Sequence, residues 1–210
     1  MMKQKVLITI ERQYGSGGEQ IGRLLAQKLN IGFFDNVLLV KASEESNIEE
    51  KIFQTFDEIY VNSGLYSIVA SSVLVAKGNI GEYKQPPAEQ VYWAEFATIR
   101  KLAEEQSGIF IGRCSDYILR DYTNAVHIFV HAPIDVRIAN VCKNENFKHG
   151  DAETIVRKKD KEREKYYNYY TDRRWGDVCN YHLSIDTGKM NLDDATVLIE
   201  QYVKHTIKNV

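Results

Sequence analysis

VLITIERQYGSGGEQIGRLL, residues 6–25, decides the fold. Val6 to Ile10 is a short apolar, β-branched run, and it predicts a strand buried on both faces, as in a parallel sheet. Gly15, Gly17 and Gly18 predict a tight loop over Glu11 to Gly18. Beyond it Ile21, Leu24, Leu25 and Leu29 recur at helical spacing, which predicts an amphipathic helix over Glu19 to Leu29. A buried strand, a glycine-rich loop and a helix N-terminus in that order bring backbone N–H groups and the helix dipole to one place, an arrangement that binds phosphate. A plain tight turn between strand and helix, which also favours glycine, is the alternative.

Working outward, further short runs predict strands at Gly32–Phe34, Ile109–Ile111, Val126–Val130 and His182–Ile185. Pro133 suits the first turn of a helix running through Ile134, Ile138 and Val141. A last helix over Leu192 to Thr206 carries Leu192, Ala195, Leu198, Ile199 and Val203 on one face, with Asp193 and Asp194 in its first turn, where they suit the dipole. Strands alternating with helices predict an α/β fold with a parallel sheet and helices on both faces. The stretch from Val37 to Gln106 is different. Its patterns are helical (Ile48–Phe56, Leu65–Ala76, Ala88–Gln106), with a loop from Gly78 through Pro86 and Pro87. It reads as a helical insertion leaving the sheet after the second strand.

The 210 residues are 44% hydrophobic and 27% charged, enough for one domain with a core and not a disordered composition. A formal charge of -2 argues against a general nucleic-acid binder. Cys114, Cys142 and Cys179 are widely spaced and indicate neither a disulfide framework nor a zinc site. No run approaches the length of a membrane span, and the N-terminal stretch lacks the pattern of a secretory signal, so a cytoplasmic setting is expected.

Charge is uneven. Lys143 to Arg174 holds ten Lys/Arg against seven Asp/Glu. Within it the run Arg157 to Lys165 is either a self-paired solvated helix face or a lid over a transferring phosphoryl group. The loop does not match Gly-x-x-x-x-Gly-Lys-Ser/Thr: Gly18 and Glu19 stand where the lysine and the hydroxyl belong. Arg12, or an arginine from elsewhere, must then supply the missing charge. Glu19 would repel a triphosphate unless a cation neutralises it. Ile109-Phe110-Ile111-Gly112-Arg113 ends a strand in Gly-Arg at the sheet edge where ligands bind, and offers a bidentate grip on phosphate or carboxylate. Asp35, directly after Gly32-Phe33-Phe34, either grips a substrate or caps the next segment. His127 and His131 show no metal spacing and read as structural; Trp93 and Trp175 read as packing residues.

ITIERQYGSGGEQIG (8–22), IFIGRCSDYIL (109–119), VHIFVHAPIDVRI (126–138), DKEREKYYNYYTDRRWGD (160–177) and HLSIDTGKMNLDDA (182–195) together resemble the cytidylate kinase-like family, a nucleoside monophosphate kinase branch of the P-loop kinases. The resemblance implies a three-layer P-loop kinase-like core with a parallel five-stranded sheet (about 1–36, 107–142 and 179–210), a helical acceptor-binding insertion (about 37–106) and a basic helical lid (about 143–178). It implies transfer of the γ-phosphoryl of ATP, with Mg2+, to a nucleoside monophosphate such as CMP. A catalytically impaired nucleotide-binding sensor and a kinase of a non-nucleotide metabolite are the alternatives. The family's pattern places ATP at Gln13, Tyr14, Gly15, Ser16, Gly17, Gly18, Glu19 and Gln20, with Arg137 near the donor base and Ser16 as a substitute magnesium ligand. It places the acceptor at Asp35, Arg100 and Arg113, and chemistry at Arg113, Asp160 and Arg163, to which the reading of the loop adds Arg12. No nucleic acid or membrane partner is expected, and the protein is expected to be a monomer or homodimer. The chain departs from true cytidylate kinases at the loop lysine and at Cys114, where they carry an aspartate that helps read cytosine.

Overall fold

A computed structural model describes residues 5–46, 48–49, 51–53, 87–145 and 147–207. Their elements run β1 (Leu7–Arg12), α1 (Gly18–Leu29), β2 (Gly32–Phe34), α2 (Asn36–Ser46), α3 (Pro87–Glu105), β3 (Gly108–Ile111), α4 (Ser115–Ile118), β4 (Ala125–His131), α5 (Ile134–Glu145), α6 (His149–Thr171), a 3-10 turn (Val178–Asn180), β5 (Leu183–Asp186) and α7 (Leu192–Thr206). The predicted helix Leu65–Ala76, the loop Gly78–Pro86 and the end of the predicted helix Ile48–Phe56 lie outside the described residues.

The five strands form one sheet in the order β2-β3-β1-β4-β5, all neighbours parallel. Every residue of β1 is buried, and successive side chains enter two different apolar layers. Ile8 and Ile10 join Ile109, Ile111, Val126, Ile128 and Val130, over which pack Ile21 and Leu25 of α1 and Ala195, Ile199 and Val203 of α7. Leu7 belongs to the opposite layer with Phe34, Phe110, Leu38, and Ile99 and Leu102 of α3. Burial on both faces is why these strands read as unbroken apolar runs rather than alternating ones.

Two local choices set the site. β1 does not stop at Ile10, as the apolar run predicts, but continues through Glu11 and Arg12. Its ladder with β3 ends at Ile10↔Ile111, while its ladder with β4 goes on to Glu11↔Phe129 and Arg12↔Val130. Two charged side chains are thereby fixed on the strand at the sheet's C-terminal edge. In α6, by contrast, most charge faces solvent: Arg157 pairs with Glu153 at 2.9 Å, and Lys158 and Lys159 each approach Glu162 at 3.8 Å. Ala152, Val156, Tyr166 and Tyr167 are the inward side of that helix. Ala152 and Val156 pack on Ile138 and Val141 of α5, and the two tyrosines pack on Tyr92 of α3.

Candidate active site

The loop after β1 is held by its carbonyls. The Ser16 hydroxyl donates to Gln13 O (2.7 Å), Arg137 Nη1 to Tyr14 O (3.2 Å), Asn140 Nδ2 to Gly15 O (2.9 Å), Thr187 Oγ1 to Ser16 O (2.7 Å) and Arg163 Nη1 to Arg12 O (3.2 Å). Because each peptide unit is planar, a carbonyl fixed on one side turns the following amide to the other; of those amides Gln13 N–H goes to Val130 O (3.0 Å), Tyr14 N–H to Asp160 and Ser16 N–H to Gln13 O (3.2 Å). Gly15 and Gly17 make the turn possible, at φ 77 and 84. Gly17 is also the residue before α1, whose first internal bond is Ile21 N–H to Gly17 O at 3.0 Å. The earlier amides of that helix therefore have no partner within it, and they border a cleft of about 170 Å³ lined by the loop, Asn140 and Asn144, Glu145 and Arg163.

The missing lysine has a structural counterpart. A Cβ added at Gly18 would sit 2.6 Å from Arg12 Cβ. Arg12 thus fills the space a side chain at position 18 would need, and it lines the cleft with Arg163. Arg163 also lies over the Tyr14 ring, 5.5 Å from its centroid. The charge of Glu19 is countered by Arg23, whose Nη2 is 2.8 Å from Oε1. The Tyr14 hydroxyl donates to Glu145 (2.8 Å), and its pKa is pushed up to about 12, first by burial and then by that carboxylate.

Three expectations are corrected here. Ser16 is fully buried with its hydroxyl committed to Gln13 O, so it does not face the cleft as a magnesium ligand. Arg137 is buried beneath the loop; its guanidinium donates to Ala132 O (2.9 Å), to Tyr14 O and to Asp160, and it makes no wall for a donor base. Asp160 accepts the Tyr14 N–H (2.7 Å) and pairs with Arg137. It positions the loop rather than lining the cleft. Gln13 works in the same bracket, its Oε1 accepting the Ala132 N–H at 3.2 Å.

A second cluster lies between β1, β3 and α6. Arg113 is 1% exposed at its side chain, 3.1 Å from Asp35 Oδ1 and 3.3 Å from Glu95 Oε1. It also donates to Ile111 O at 3.3 Å. The Tyr166 hydroxyl donates to Glu95 Oε2 (3.1 Å), that of Tyr167 to Asp116 Oδ2 (2.6 Å), and Trp175 Nε1 donates to Glu11 Oε2 (3.2 Å). Burial pushes the Asp116 carboxyl up to about 6 against the opposing Tyr167 hydrogen bond, and burial beside Glu95 raises Tyr166. Arg163 touches both places: it lines the cleft and also a seam with Glu11, Arg113, Cys114, Tyr166 and Tyr167 that leaves no room for a water molecule. Arg100 is not brought to this cluster. It is exposed on α3, with its guanidinium near the Phe96 and Tyr122 rings at 6.0 and 5.7 Å.

Glu11, Glu95 and Asp116 are the buried acids that sequence reading passes over. Glu95 had a legible signal, since Val91, Tyr92, Glu95, Ile99 and Leu102 share one helical stripe. Asn140 and Thr187 gave none, because their partners are 125 and 171 residues away in the chain.

Among the described residues no group of His, Cys, Asp and Glu is arranged to hold a metal, and no helix is long and apolar enough to cross a membrane. The fold is that of P-loop kinases. A crystal structure of an uncharacterized protein from Eubacterium ventriosum ATCC 27560 superposes with a TM-score of 0.69 at 27% identity, covering 95% of this chain and 99% of that one. Shikimate kinase from Acinetobacter baumannii, solved in complex with shikimate, gives 0.51 at 12% identity, with 98% and 97% covered. Shikimate kinase from Bacteroides thetaiotaomicron gives 0.51 at 11%, with 95% and 98% covered. No curated protein matches the sequence. A sequence profile matches residues 7–189, from the first strand through the loop after the last, and by it the chain belongs to the cytidylate kinase-like family.

Proposed function

We propose that the protein transfers the terminal phosphoryl group of ATP, carried with Mg2+, to a small-molecule acceptor held beside Asp35 and Arg113. The observation that carries this reading is the open cleft in which Arg12 and Arg163 border the glycine loop and the first turn of α1, while the loop's carbonyls at Arg12, Tyr14, Gly15 and Ser16 are tied elsewhere. That is an anion site with fixed donors, and phosphoryl transfer draws its catalysis mainly from positioning and positive charge. ATP fits the donor set: amides of the loop and of the first turn of α1 for its phosphates, Arg12 in place of the lysine, and Arg163 beside the terminal group. Magnesium would travel with the nucleotide, with the Glu19 and Gln20 side chains as the oxygen donors bordering the loop.

In the transfer an acceptor oxygen bonds to the γ-phosphorus, the bond to the β,γ-bridging oxygen breaks and ADP leaves with that electron pair. Arg163 spans the donor cleft and the Arg113 seam, so it stands where charge moves between the two. The family's description makes a monophosphate such as CMP the first acceptor to test.

The test is ATP binding by calorimetry together with ADP release over a panel of phosphorylated and unphosphorylated acceptors. Turnover on at least one acceptor is expected, and Arg163→Ala abolishes it while leaving ATP affinity within a few-fold. Tight ATP binding with no turnover on any acceptor would instead favour a nucleotide sensor, and no ATP binding at all would remove both.

A further inference from the structure

Tyr14 of the glycine loop meets two helices with both its main chain and its side chain. Its N–H donates to Asp160 Oδ1 of α6 (2.7 Å), and its carbonyl accepts from Arg137 Nη1 of α5 (3.2 Å). Its hydroxyl donates to Glu145 at the end of α5, 2.8 Å from one carboxylate oxygen and 3.0 Å from the other. Its ring packs against the apolar seam that joins those helices, Ile138 and Val141 of α5 with Ala152 and Val156 of α6. Arg163 faces the same ring, its guanidinium carbon 5.5 Å from the centroid.

A tyrosine that merely fills a core needs a place for its ring and one partner for its hydroxyl. Tyr14 has both and, in addition, a charged helix side chain on each side of its main chain and a guanidinium over its ring. It also lines the cleft, so the ring is wall as well as packing. The loop has no slack here. Gly15 follows at φ 77, and a Cβ on it would sit 2.7 Å from Arg137 O, so the loop lies directly on the backbone of α5. On α6, Asp160 and Arg163 are three residues apart and share a face. The first holds the Tyr14 amide; the second faces its ring and donates to Arg12 O (3.2 Å). The ring is thereby a spacer between α5 and the turn of α6 that carries Arg163. The groups assigned above to the ATP phosphates are set by other means: the first turn of α1 by Gly17, and Arg12 by the ladder of β1 with β4.

We infer that Tyr14 is a positioning residue: standing between α5 and α6, its ring sets where Arg163 lies over the cleft, and so governs the rate of transfer rather than the affinity for ATP. A guanidinium is drawn to the face of an aromatic ring, and a reacting group displaced by about 1 Å costs up to about 10²-fold in rate. The inference rests on the kinase reading above for the word transfer, but the placement of Arg163 is measured without ATP.

The experiment uses the full chain and two substitutions. Tyr14→Phe keeps the ring and gives up the bond to Glu145. Tyr14→Leu keeps apolar bulk in the seam and gives up the ring. NMR of the ATP-free proteins reads the side-chain protons of Arg163, which the face of an aromatic ring shifts upfield. That shift is expected in the parent and in Tyr14→Phe and is expected to vanish in Tyr14→Leu. Calorimetry with ATP, and ADP release with CMP as acceptor, read the consequence. Tyr14→Leu should lower kcat by about tenfold to a hundredfold while the Kd for ATP stays within about threefold, and Tyr14→Phe should recover most of the loss. A packing role alone would lower the urea midpoint of Tyr14→Leu and leave the kcat of the folded protein as it was, which overturns the inference. An Arg163 signal identical in the parent and Tyr14→Leu overturns it as well. Equal losses of kcat in the two variants would place the effect in the hydroxyl and overturn the role given to the ring. If Tyr14→Leu does not fold, Tyr14→Met takes its place. Absence of ATP binding to the parent would remove the kinase reading, and absence of turnover on CMP only that choice of acceptor; in both cases the Arg163 signal decides the placement.

Discussion

The cleft at the glycine loop and the seam around Arg113 solve opposite problems at the same sheet edge. In the cleft the protein ties its own carbonyls away and leaves amides and two arginines toward an open space. In the seam it brings an arginine against carboxylates and seals it under tyrosines. The first region borders open space; the second is packed shut. That contrast, an open cleft beside a sealed seam, is what mutations should break.

The largest effect is expected on turnover, at the one side chain the regions share. Arg163 donates to Arg12 O and lines both cleft and seam. Arg163→Ala should lower kcat by about 10³-fold, the scale of removing a preorganised cation or donor from a transferring phosphoryl group, with a small change in KM for ATP. A fall in kcat of less than tenfold would separate the two regions functionally.

Next in size is the seam's own stability. Replacing Arg113 by Met leaves Asp35 and Glu95 buried without their cation and should cost about 3–5 kcal/mol, read as a lowered urea midpoint. The double variant Arg113→Met, Glu95→Gln should recover part of that loss. If the single variant is as stable as the parent, the seam is hydrated and its charges are not coupled as described.

The cleft should respond more gently in stability and more sharply in geometry. Gly18→Lys, which restores the motif lysine, is expected to destabilise by about 1–3 kcal/mol, the usual cost of overpacking, because its Cβ would lie 2.6 Å from Arg12 Cβ. Combined with Arg12→Gly, which removes that Cβ, the same lysine should be tolerated and should restore ATP affinity lost in Arg12→Gly alone. Failure of that rescue would show that Arg12 does not stand in for the lysine.

These variants also show how much could be read from the chain. Strands were legible as β-branched apolar runs, and α7 spans Leu192–Thr206 as its periodicity predicts, because burial on one or two faces writes itself into residue spacing. β1 was read two residues short since Glu11 and Arg12 are charged, and only the continuing ladder with β4 keeps them on the strand. The loop glycines pointed to the cleft. The bracket that shapes it did not appear, because Asn140, Thr187 and Asp160 act through bonds to a loop more than a hundred residues away. In the basic run, Arg157 to Lys159 proved to be a self-paired surface, while Asp160 and Arg163, one turn apart, face the loop. Residue type alone does not separate these; the helix face does.

The smallest effect is a near-cancellation with pH. His127, buried on β4 with Nδ1 2.9 Å from Thr9 Oγ1 and its ring stacked on His182, is pushed down from 6.5 to about 4, first by burial and then by His182. The fold keeps it neutral, so the unfolded chain takes up its proton first, and this contribution is complete above pH 6.5 and is lost as the pH falls toward 4. Asp116 runs the other way. Its carboxyl is pushed up from 3.8 to about 6 by burial, against the Tyr167 hydrogen bond. The fold therefore favours its protonated form, and that contribution is complete below about pH 3.8 and is lost as the pH rises through 6. Each group alone would tilt stability by up to about 1.4 kcal/mol per pH unit, with opposite sign over the same window. Their sum in the parent should be within about 1 kcal/mol of flat between pH 4 and 6. Asp116→Asn leaves the histidine slope exposed, so relative to the parent it should gain stability as the pH is raised from 4 to 7. His127→Gln should show the reverse, losing relative stability over the same rise. Urea midpoints across that range decide it: parallel curves for parent and Asp116→Asn would mean that the seam holds Asp116 ionised, and that the charge saturating Arg113's neighbourhood is larger still.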